Sequence, residues 1–233
     1  MKKSHQILFI ISGLAASSSF AQQSGEMLIN FGIAHVLPQA ELKSISSTEP
    51  IVHGALQGSS IISSSSDTLS FGVSYMMTDN VAAELAFGIP PKLRLSLNSP
   101  SGNHPNAINT TVVFPALLAN YYFGEPSSAF RPFVGAGVSY IKFTKNGHNT
   151  TDPVVNGLTN ESITINSAWS PVYKIGATYR INEKWLMNGA VLMMPLNIKA
   201  RIAGPGIGAG PATTDLSMKL NTSVYMITLS REF

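Results

Sequence analysis

The chain has 233 residues, no cysteine, and 15 basic against 12 acidic residues, a formal net charge of +3 at pH 7. Only 12% of the residues are charged, about half of the share usual in soluble domains. The length allows one substantial domain, and the lack of cysteine excludes a fold that depends on disulfides. Without Lys2 and Lys3, 13 basic residues stand against 12 acidic ones, so the charge predicts no nucleic-acid partner.

The amino terminus has the pattern of a secretory signal. Lys2 and Lys3 precede an apolar run at residues 7–11, and the small residues Ser19 and Ala21 occupy positions −3 and −1 of a cleavage site. We therefore predict a signal peptide at residues 1–21 and a mature chain at 22–233. The apolar run is too short to cross a bilayer as a helix, and no later segment offers the roughly 20 apolar residues that a membrane helix needs.

Period-2 alternation of apolar and small or polar residues predicts strands along the mature chain. In residues 129–143 it puts Val134 and Val138 on one face and Gly135 and Gly137 on the other. The strand near residues 185–198 has no clear faces, because Met187 and Met193 alternate with the equally apolar Leu192. The eight predicted strands are residues 26–36 (ended by Pro38), 67–77, 81–89, 112–123, 129–143, 168–180, 185–198 and 216–233.

The connections between these strands alternate in length. Long polar segments are predicted as external loops at about 37–66, 90–111, 144–167 and 199–213, and they alternate with short turns near 78–80, 124–128 and 182–183. An up-and-down barrel with short periplasmic turns and long external loops has this rhythm, whereas a soluble Greek-key sandwich has no reason for it. We predict an all-β fold, an eight-stranded antiparallel up-and-down transmembrane β-barrel in the bacterial outer membrane.

Several joined motifs resemble the outer membrane protein W family. The most specific is FRPFVGAGVSY at residues 130–140, and YMMTDNVAAEL at 75–85 and FPALLANYYFG at 114–124 are also similar. Residues 31–36 and 182–188 fit as well, so the likeness covers nearly the whole mature chain.

This resemblance implies an eight-stranded barrel with a narrow apolar passage for small hydrophobic molecules. It also implies a surface protein that phage or bacteriocins can contact through its loops. Two features depart from the family pattern. The Ser-rich run at residues 63–66 is individual, and Arg231 stands in the last strand where an apolar residue would suit assembly better.

The alternation also predicts which polar side chains point inward in the periplasmic half. Because buried charges need partners, these residues predict a satisfied internal network that plugs the barrel. The alternative is a gate or a selectivity element. The residues are Asn30, Glu84, Asn120, Lys174 and Arg180.

Nearer the external side, the predicted inward residues are apolar. A water channel would have a polar lining, so an apolar one favours a passage for hydrophobic solutes. The alternative is a small core packed against external loops. The residues are Val36, Phe114, Leu118, Ile141, Phe143, Val172, Leu192 and Met194.

Three prolines mark places where solutes could leave sideways through the wall, because proline interrupts strand pairing. They are Pro90, Pro115 and Pro195. The alternative is that they only end strands or weaken a sheet edge.

Catalysis is not expected. Four histidines follow the predicted signal, His35, His53, His104 and His148, and none has the spacing of a zinc motif. The glycine-rich run at residues 204–210 lacks the strand-before, helix-after setting of a phosphate loop. The sequence therefore predicts no metal site, no cofactor and no enzymatic activity.

The leading hypothesis is passive uptake of small hydrophobic molecules by a monomeric barrel surrounded by outer-membrane lipid. The rival is a closed barrel that acts through its loops as a receptor, an adhesin or an envelope-stabilising protein.

Overall fold

The computed structural model describes residues 22–100, 102–159, 162–204 and 212–233. The predicted signal peptide lies outside the described residues, as does most of the glycine-rich run at 204–210.

The described chain is almost entirely antiparallel β-structure. Its elements in chain order are β1 (Met27–Ser47), α1 (Pro50–Leu56), β2 (Ser60–Ser63), β3 (Ser66–Met76), β4 (Val81–Gly88), β5 (Lys92–Ser99), β6 (Gly102–Val113), β7 (Ala116–Tyr122), β8 (Phe130–His148), α2 (Pro153–Thr159), β9 (Ser162–Ile165), β10 (Ala168–Arg180), β11 (Trp185–Gly204) and β12 (Ala212–Glu232). Neither helix is long and apolar enough to cross a membrane, which holds for the part of the chain described above.

Eight of these strands close into a ring. The order is β1-β3-β4-β7-β8-β10-β11-β12, and β12 pairs with β1 from Leu28↔Glu232 upward. The ring also closes between β8 and β10, and every pairing is antiparallel. The prediction of an eight-stranded antiparallel barrel is confirmed.

The faces of the strands follow the alternation. In β8, Phe133 and Ser139 are buried inside the ring, whereas Val134 and Val138 are exposed on its outer wall. The structure also settles the faces of β11: Leu192 is 4% exposed and points inward, and Met193 is 48% exposed and points outward.

The strands continue well above the eight-stranded ring, into the segments expected as external loops. β1 runs through Pro38 to Ser47, and β2, β5, β6 and β9 form further ladders there. The strand β1 was expected to end at Pro38 but continues through it. The β1–β3 ladder stops at Val36↔Ser66, and above that point β1 pairs only with β12. The side of β1 that faced β3 needs no N–H at Pro38, so the proline is tolerated there.

The strand expected at residues 112–123 is two strands in the structure. β6 ends at Val113 and β7 begins at Ala116, with Phe114 and Pro115 between them. Pro115 has no N–H for the ladder, but its carbonyl accepts hydrogen bonds from Ser139 Oγ at 2.8 Å and from Tyr140 N at 3.3 Å.

The inward side chains form layers along the barrel axis. A small apolar cluster that includes Leu28, Tyr122 and Phe133 lies at the end with the short turns, which is the periplasmic end of such a barrel. A polar layer follows, then a middle apolar cluster that includes Leu118 and Val172. The upper apolar cluster lies beneath the external ladders and helices, and its buried members include Ile141, Phe143, Leu196, Ile198, Leu216 and Met218.

Close strand contact at an inward glycine gives a stability test. A Cβ on Gly137 would lie 2.0 Å from the Leu117 carbonyl oxygen, whereas a Cβ on the outward Gly189 would meet nothing within 4 Å. We expect Gly137→Ala to lower the free energy of unfolding by about 1–3 kcal/mol, since the strands must move apart. Gly189→Ala is the control and should leave it nearly unchanged. Denaturant unfolding in detergent measures both, and equal effects would contradict the close-contact argument.

Candidate functional site

A buried ion pair forms the centre of the polar layer. Lys174 Nζ on β10 lies 2.8 Å from Glu84 Oε1 and 2.6 Å from Glu84 Oε2 on β4. The two side chains are 8% and 5% exposed, so the pair spans the barrel interior out of contact with bulk water. Asn120 on β7 donates a third hydrogen bond to Glu84, and the ammonium also lies 5.3 Å from the centre of the Phe133 ring.

Hydrogen bonds connect the rest of the layer around the wall. Asn30 on β1 donates to Ser74 Oγ on β3 and accepts from Ser230 on β12. Asn188 on β11 donates to Thr228 and Ser230. The space that remains among these side chains is about 20 Å³, enough for roughly one water. The arrangement closes the lumen with hydrogen-bonded polar groups, although Asn120 Oδ1 is buried without a partner among the described residues.

Arg180 lies apart from this network. It is half-buried at the lower end of β10, where Nη2 donates to the Pro126 carbonyl at 2.6 Å. Of the five polar residues predicted to form the plug, the structure brings together Asn30, Glu84, Asn120 and Lys174, and it places Arg180 nearer the periplasmic rim.

A fully buried cation, Arg131, was not predicted. Its guanidinium donates to Gln22 Oε1 at 3.0 Å and to the Asp79 carbonyl at 2.7 Å, and it lies 5.5 Å from the centre of the Tyr122 ring. Arg131 closes the barrel below the polar layer. The period-2 pattern of β8 could have revealed it, because Arg131 lies two residues from the inward Phe133.

The predicted apolar lining lies directly above the ion pair. Leu118 and Val172 are two residues up the same strands from Asn120 and Lys174, and they belong to the middle cluster. Val36, Leu192 and Met194 belong to that cluster too, Ile141 and Phe143 to the upper one, and Phe114 packs against both. The eight residues therefore form one continuous apolar column.

An apolar cavity of about 60 Å³ lies above this column, beneath the two helices. It is lined by Ile45, Leu56, Ile61, Leu95, Leu97, Ala107, Ile108, Val155, Ile202 and Leu216, with Ser96 and Thr214 as the polar members. Because α1 and α2 supply Leu56 and Val155, the external connections form a lid over the column.

A buried pair holds α2 onto this lid. His104 Nδ1 on β6 lies 2.8 Å from Asp152 Oδ2, and the amides of Val154 and Val155 donate to Asp152 Oδ1. Burial of the carboxyl would raise the pKa of Asp152, but the hydrogen bonds from Val155 and His104 outweigh it and lower the pKa below its ordinary value.

The barrel wall has a window beside the middle cluster. The β4–β7 ladder ends at Ala86↔Ala116, and the next backbone bond above it is Val112 N to Pro91 O at 3.0 Å. Residues 87–90 and 113–115 face each other across this interruption, so Pro90 and Pro115 both lie on its rim. An apolar cavity of about 30 Å³ reaches from the column to the rim residues Phe87, Gly88 and Phe114.

Pro195 lies at a different interruption. The β10–β11 ladder ends at Tyr173↔Met193, and above it Ser170 Oγ donates to the Pro195 carbonyl at 2.8 Å. On its other side Pro195 is paired with Asn221 of β12. The structure therefore brings Pro90 and Pro115 to one place and Pro195 to another.

Arg231 has a structural reason for its departure from the family pattern. Its guanidinium lies 5.8 Å from the centre of the Trp185 ring and 5.0 Å from that of Phe233. Cation–π contact at the lower rim suits an interface where aromatic side chains collect. Across the described ranges, no group of three or more His, Asp or Glu side chains could hold a metal ion.

The closed ring, its apolar outer wall and its short periplasmic turns define an outer-membrane β-barrel. The OmpW family model matches residues 23–233, so the chain belongs to the OmpW family. Outer membrane protein W of Escherichia coli strain K12 is 30% identical over 100% of both chains. The crystal structure of the outer membrane protein OprG from Pseudomonas aeruginosa has a TM-score of 0.78 at 27% identity, covering 91% of this chain and 97% of that one. A more distant relative, the Pseudomonas aeruginosa protein named dibenzothiophene metabolism operon protein PahQ, is 23% identical over 76% of each chain.

The buried ion pair makes the first prediction for the site. Lys174→Met leaves Glu84 buried without its cation, and we expect it to lower the free energy of unfolding by about 3–5 kcal/mol. The double variant Lys174→Met/Glu84→Leu removes both charges and should recover most of the loss. Denaturant unfolding in detergent gives the values, with Lys184→Met in an exposed turn as control. A double variant as unstable as the single one would refute the pairing.

The contact between His104 and Asp152 in the lid should make the lid sensitive to acid. Because the pKa of Asp152 is lowered in the folded chain, its stabilising contribution is present above the unfolded value and lost as the pH falls through the folded one. We expect pepsin to cleave the α2 region of the wild type increasingly faster below about pH 4. Asp152→Asn should already be cleaved rapidly at pH 5, with little further change on acidification. Comparing the two proteins at each pH removes the pH dependence of pepsin itself, and parallel profiles would contradict the prediction.

Proposed function

We propose that this barrel lets small hydrophobic molecules cross the outer leaflet by passive diffusion, as a monomer without a cofactor and without catalysis. The concentration gradient drives the movement. The observation that carries the proposal is the apolar column, which runs from the lid cavity to the ion pair without an inward charge.

The column supplies the binding energy. Each buried methylene of a solute gains about 0.8 kcal/mol on leaving water, so an alkyl chain or a fused ring would partition into this lining. The cavities of about 60 and 30 Å³ are smaller than such a solute. Side chains must therefore move as it passes, and the unbranched Met194 and Met218 can adapt their shape.

The polar layer beneath the column determines the direction in which a solute would leave. Below Leu118 and Val172 the solute would meet the Glu84–Lys174 pair, and separating that pair in a buried place would cost several kcal/mol. The window offers an apolar alternative, because the cavity beside it already reaches Phe87 and Phe114. We infer that solutes leave sideways through this window into the membrane.

The name of one relative is consistent with this substrate class. PahQ is called a dibenzothiophene metabolism operon protein, and dibenzothiophene is a planar apolar molecule. An apolar column in this chain suits solutes of that chemistry.

Uptake of a reporter tests the column. Cells with the protein should take up a hydrophobic reporter faster than cells without it, and a hydrophilic reporter of similar size should show no difference. Leu118→Asp or Leu192→Asp should reduce hydrophobic uptake at least about tenfold, since a charge without a partner makes the column unfavourable. Gln39→Asp adds the same charge on the exposed part of β1 and serves as control. Equal uptake with and without the protein would refute the proposal.

A removable cross-link tests the window. Cysteines at Ile89 and Val113 face each other across it, so oxidation should hold it shut and stop hydrophobic uptake, and reduction should restore uptake. Cysteines at Met193 and Ser223 are already opposite in the β11–β12 ladder and give the control cross-link. Unchanged uptake in the oxidised protein would exclude lateral exit here while leaving the column untouched.

A second candidate function rests on the lid. Ile51, Ile62 and Val154 are large apolar side chains that remain exposed on its helices and strands. Such a surface suits contact with another protein, so a closed barrel would act as a receptor, an adhesin or an envelope-stabilising protein, and phage or bacteriocins could bind there. This reading expects Leu118→Asp to leave surface binding unchanged.

A further inference from the structure

Gln22, which directly follows the predicted cleavage point, is buried at the periplasmic mouth although it belongs to no strand. Its side-chain oxygen accepts the hydrogen bond from Arg131 Nη1 at 3.0 Å inside the barrel. Gln22 is therefore part of the plug.

The backbone nitrogens that follow the predicted cleavage point lie against two carboxylates. Gln22 N is 3.3 Å from Glu232 Oε1, and Gln23 N donates to Glu26 Oε2 at 2.5 Å. Glu26 and Glu232 interact with each other, and the Arg180 guanidinium acts electrostatically on both. Among the described residues, Glu232 Oε2 is buried and accepts no hydrogen bond. Two neighbouring carboxyl groups that share one guanidinium and keep a free acceptor favour a second cation at this position.

The backbone of Gln22 supplies an independent observation. Its φ is +64°, in the left-handed region that is unfavourable for a residue with a side chain. The unfavourable contact is between the side chain and the carbonyl of the preceding residue. If no residue precedes Gln22, that contact does not exist and the conformation carries no strain.

We propose that the chain is cut between Ala21 and Gln22 and that the new α-ammonium of Gln22 binds Glu232, completing the periplasmic plug. Water adds across the peptide bond, so Ala21 leaves with a carboxylate and Gln22 keeps an amine that takes up a proton. A neutral amide N–H thereby becomes a cation beside Glu232 and Glu26. The mature amino terminus is thus a structural ligand, with Arg131 holding its side chain and Glu232 its charge.

The first arm of the test is the intact mass of the protein purified from outer membranes. The expected chain begins at Gln22 with a free amine. A different first residue would overturn the proposal. So would a chain lighter by one ammonia, because cyclisation of Gln22 consumes the amine and releases the side chain from Arg131.

The second arm measures coupling between the amine and Glu232. The mature chain is refolded in detergent either from Gln22 or with one alanine before it, which moves the ammonium one residue away. With the Gln22 start, Glu232→Gln should speed unfolding in denaturant about tenfold, the size expected for one charge-assisted hydrogen bond. In the extended chain the same substitution should change the rate about twofold or less. Equal effects in the two chains would overturn the proposal.

Two further measurements keep this arm decisive. Glu183→Gln removes an exposed carboxylate from a periplasmic turn and should change neither unfolding rate. If Glu232→Gln does not refold, labelling of the wild-type amine with an amine-reactive reagent near neutral pH replaces it. The proposal expects strong protection in the folded protein compared with the unfolded one, and an amine labelled at the same rate in both would contradict it.

Discussion

An eight-stranded ring is barely wider than the side chains that fill it, so every inward residue either blocks the interior or leaves a path through it. In this barrel the blocking element is the Glu84–Lys174 pair, whose two side chains reach each other from opposite parts of the wall. Since neither charge can be buried alone, Asn120 and Phe133, which contact the pair, must keep their positions. The layers above and below are arranged around this pair.

The barrel is consequently asymmetric along its axis. Below the pair, Arg131 makes hydrogen bonds to a side-chain amide and to backbone carbonyls beside the small apolar cluster of Tyr122 and Phe133, and together they close that end. Above it, the column is apolar up to the lid, where His104 and Asp152 hold α2. A polar layer beneath an apolar column is consistent with the proposed entry from outside and sideways exit, and does not resemble the polar lining of a water-filled pore.

Most of this architecture could be predicted from local alternation. A strand in a membrane barrel must alternate between lipid and lumen, so the inward positions of Leu118 and Lys174 follow from period 2 alone. That Lys174 meets Glu84 could not be predicted, because the contact depends on the register of strands that are far apart in sequence. The faces of β11 were also undecidable from sequence, since Leu192 and Met193 are equally apolar. The inward position of Arg131 was not predicted, although it lies two residues from the inward Phe133 in the alternating pattern of β8.

The external region was the hardest to predict, for a physical reason. A polar segment without a clear apolar face is predicted as a loop. The ladders of β2, β5, β6 and β9 nevertheless form, because they need only backbone hydrogen bonds and a few inward apolar side chains such as Ile61 and Leu95. Their importance lies in where they leave the wall incomplete. Two prolines on one rim, Pro90 and Pro115, interrupt the ladder at the height of the apolar column, directly above the buried ion pair. The lateral path that we propose lies at this height of the wall, since a solute there need not expose itself to water or separate the buried charges.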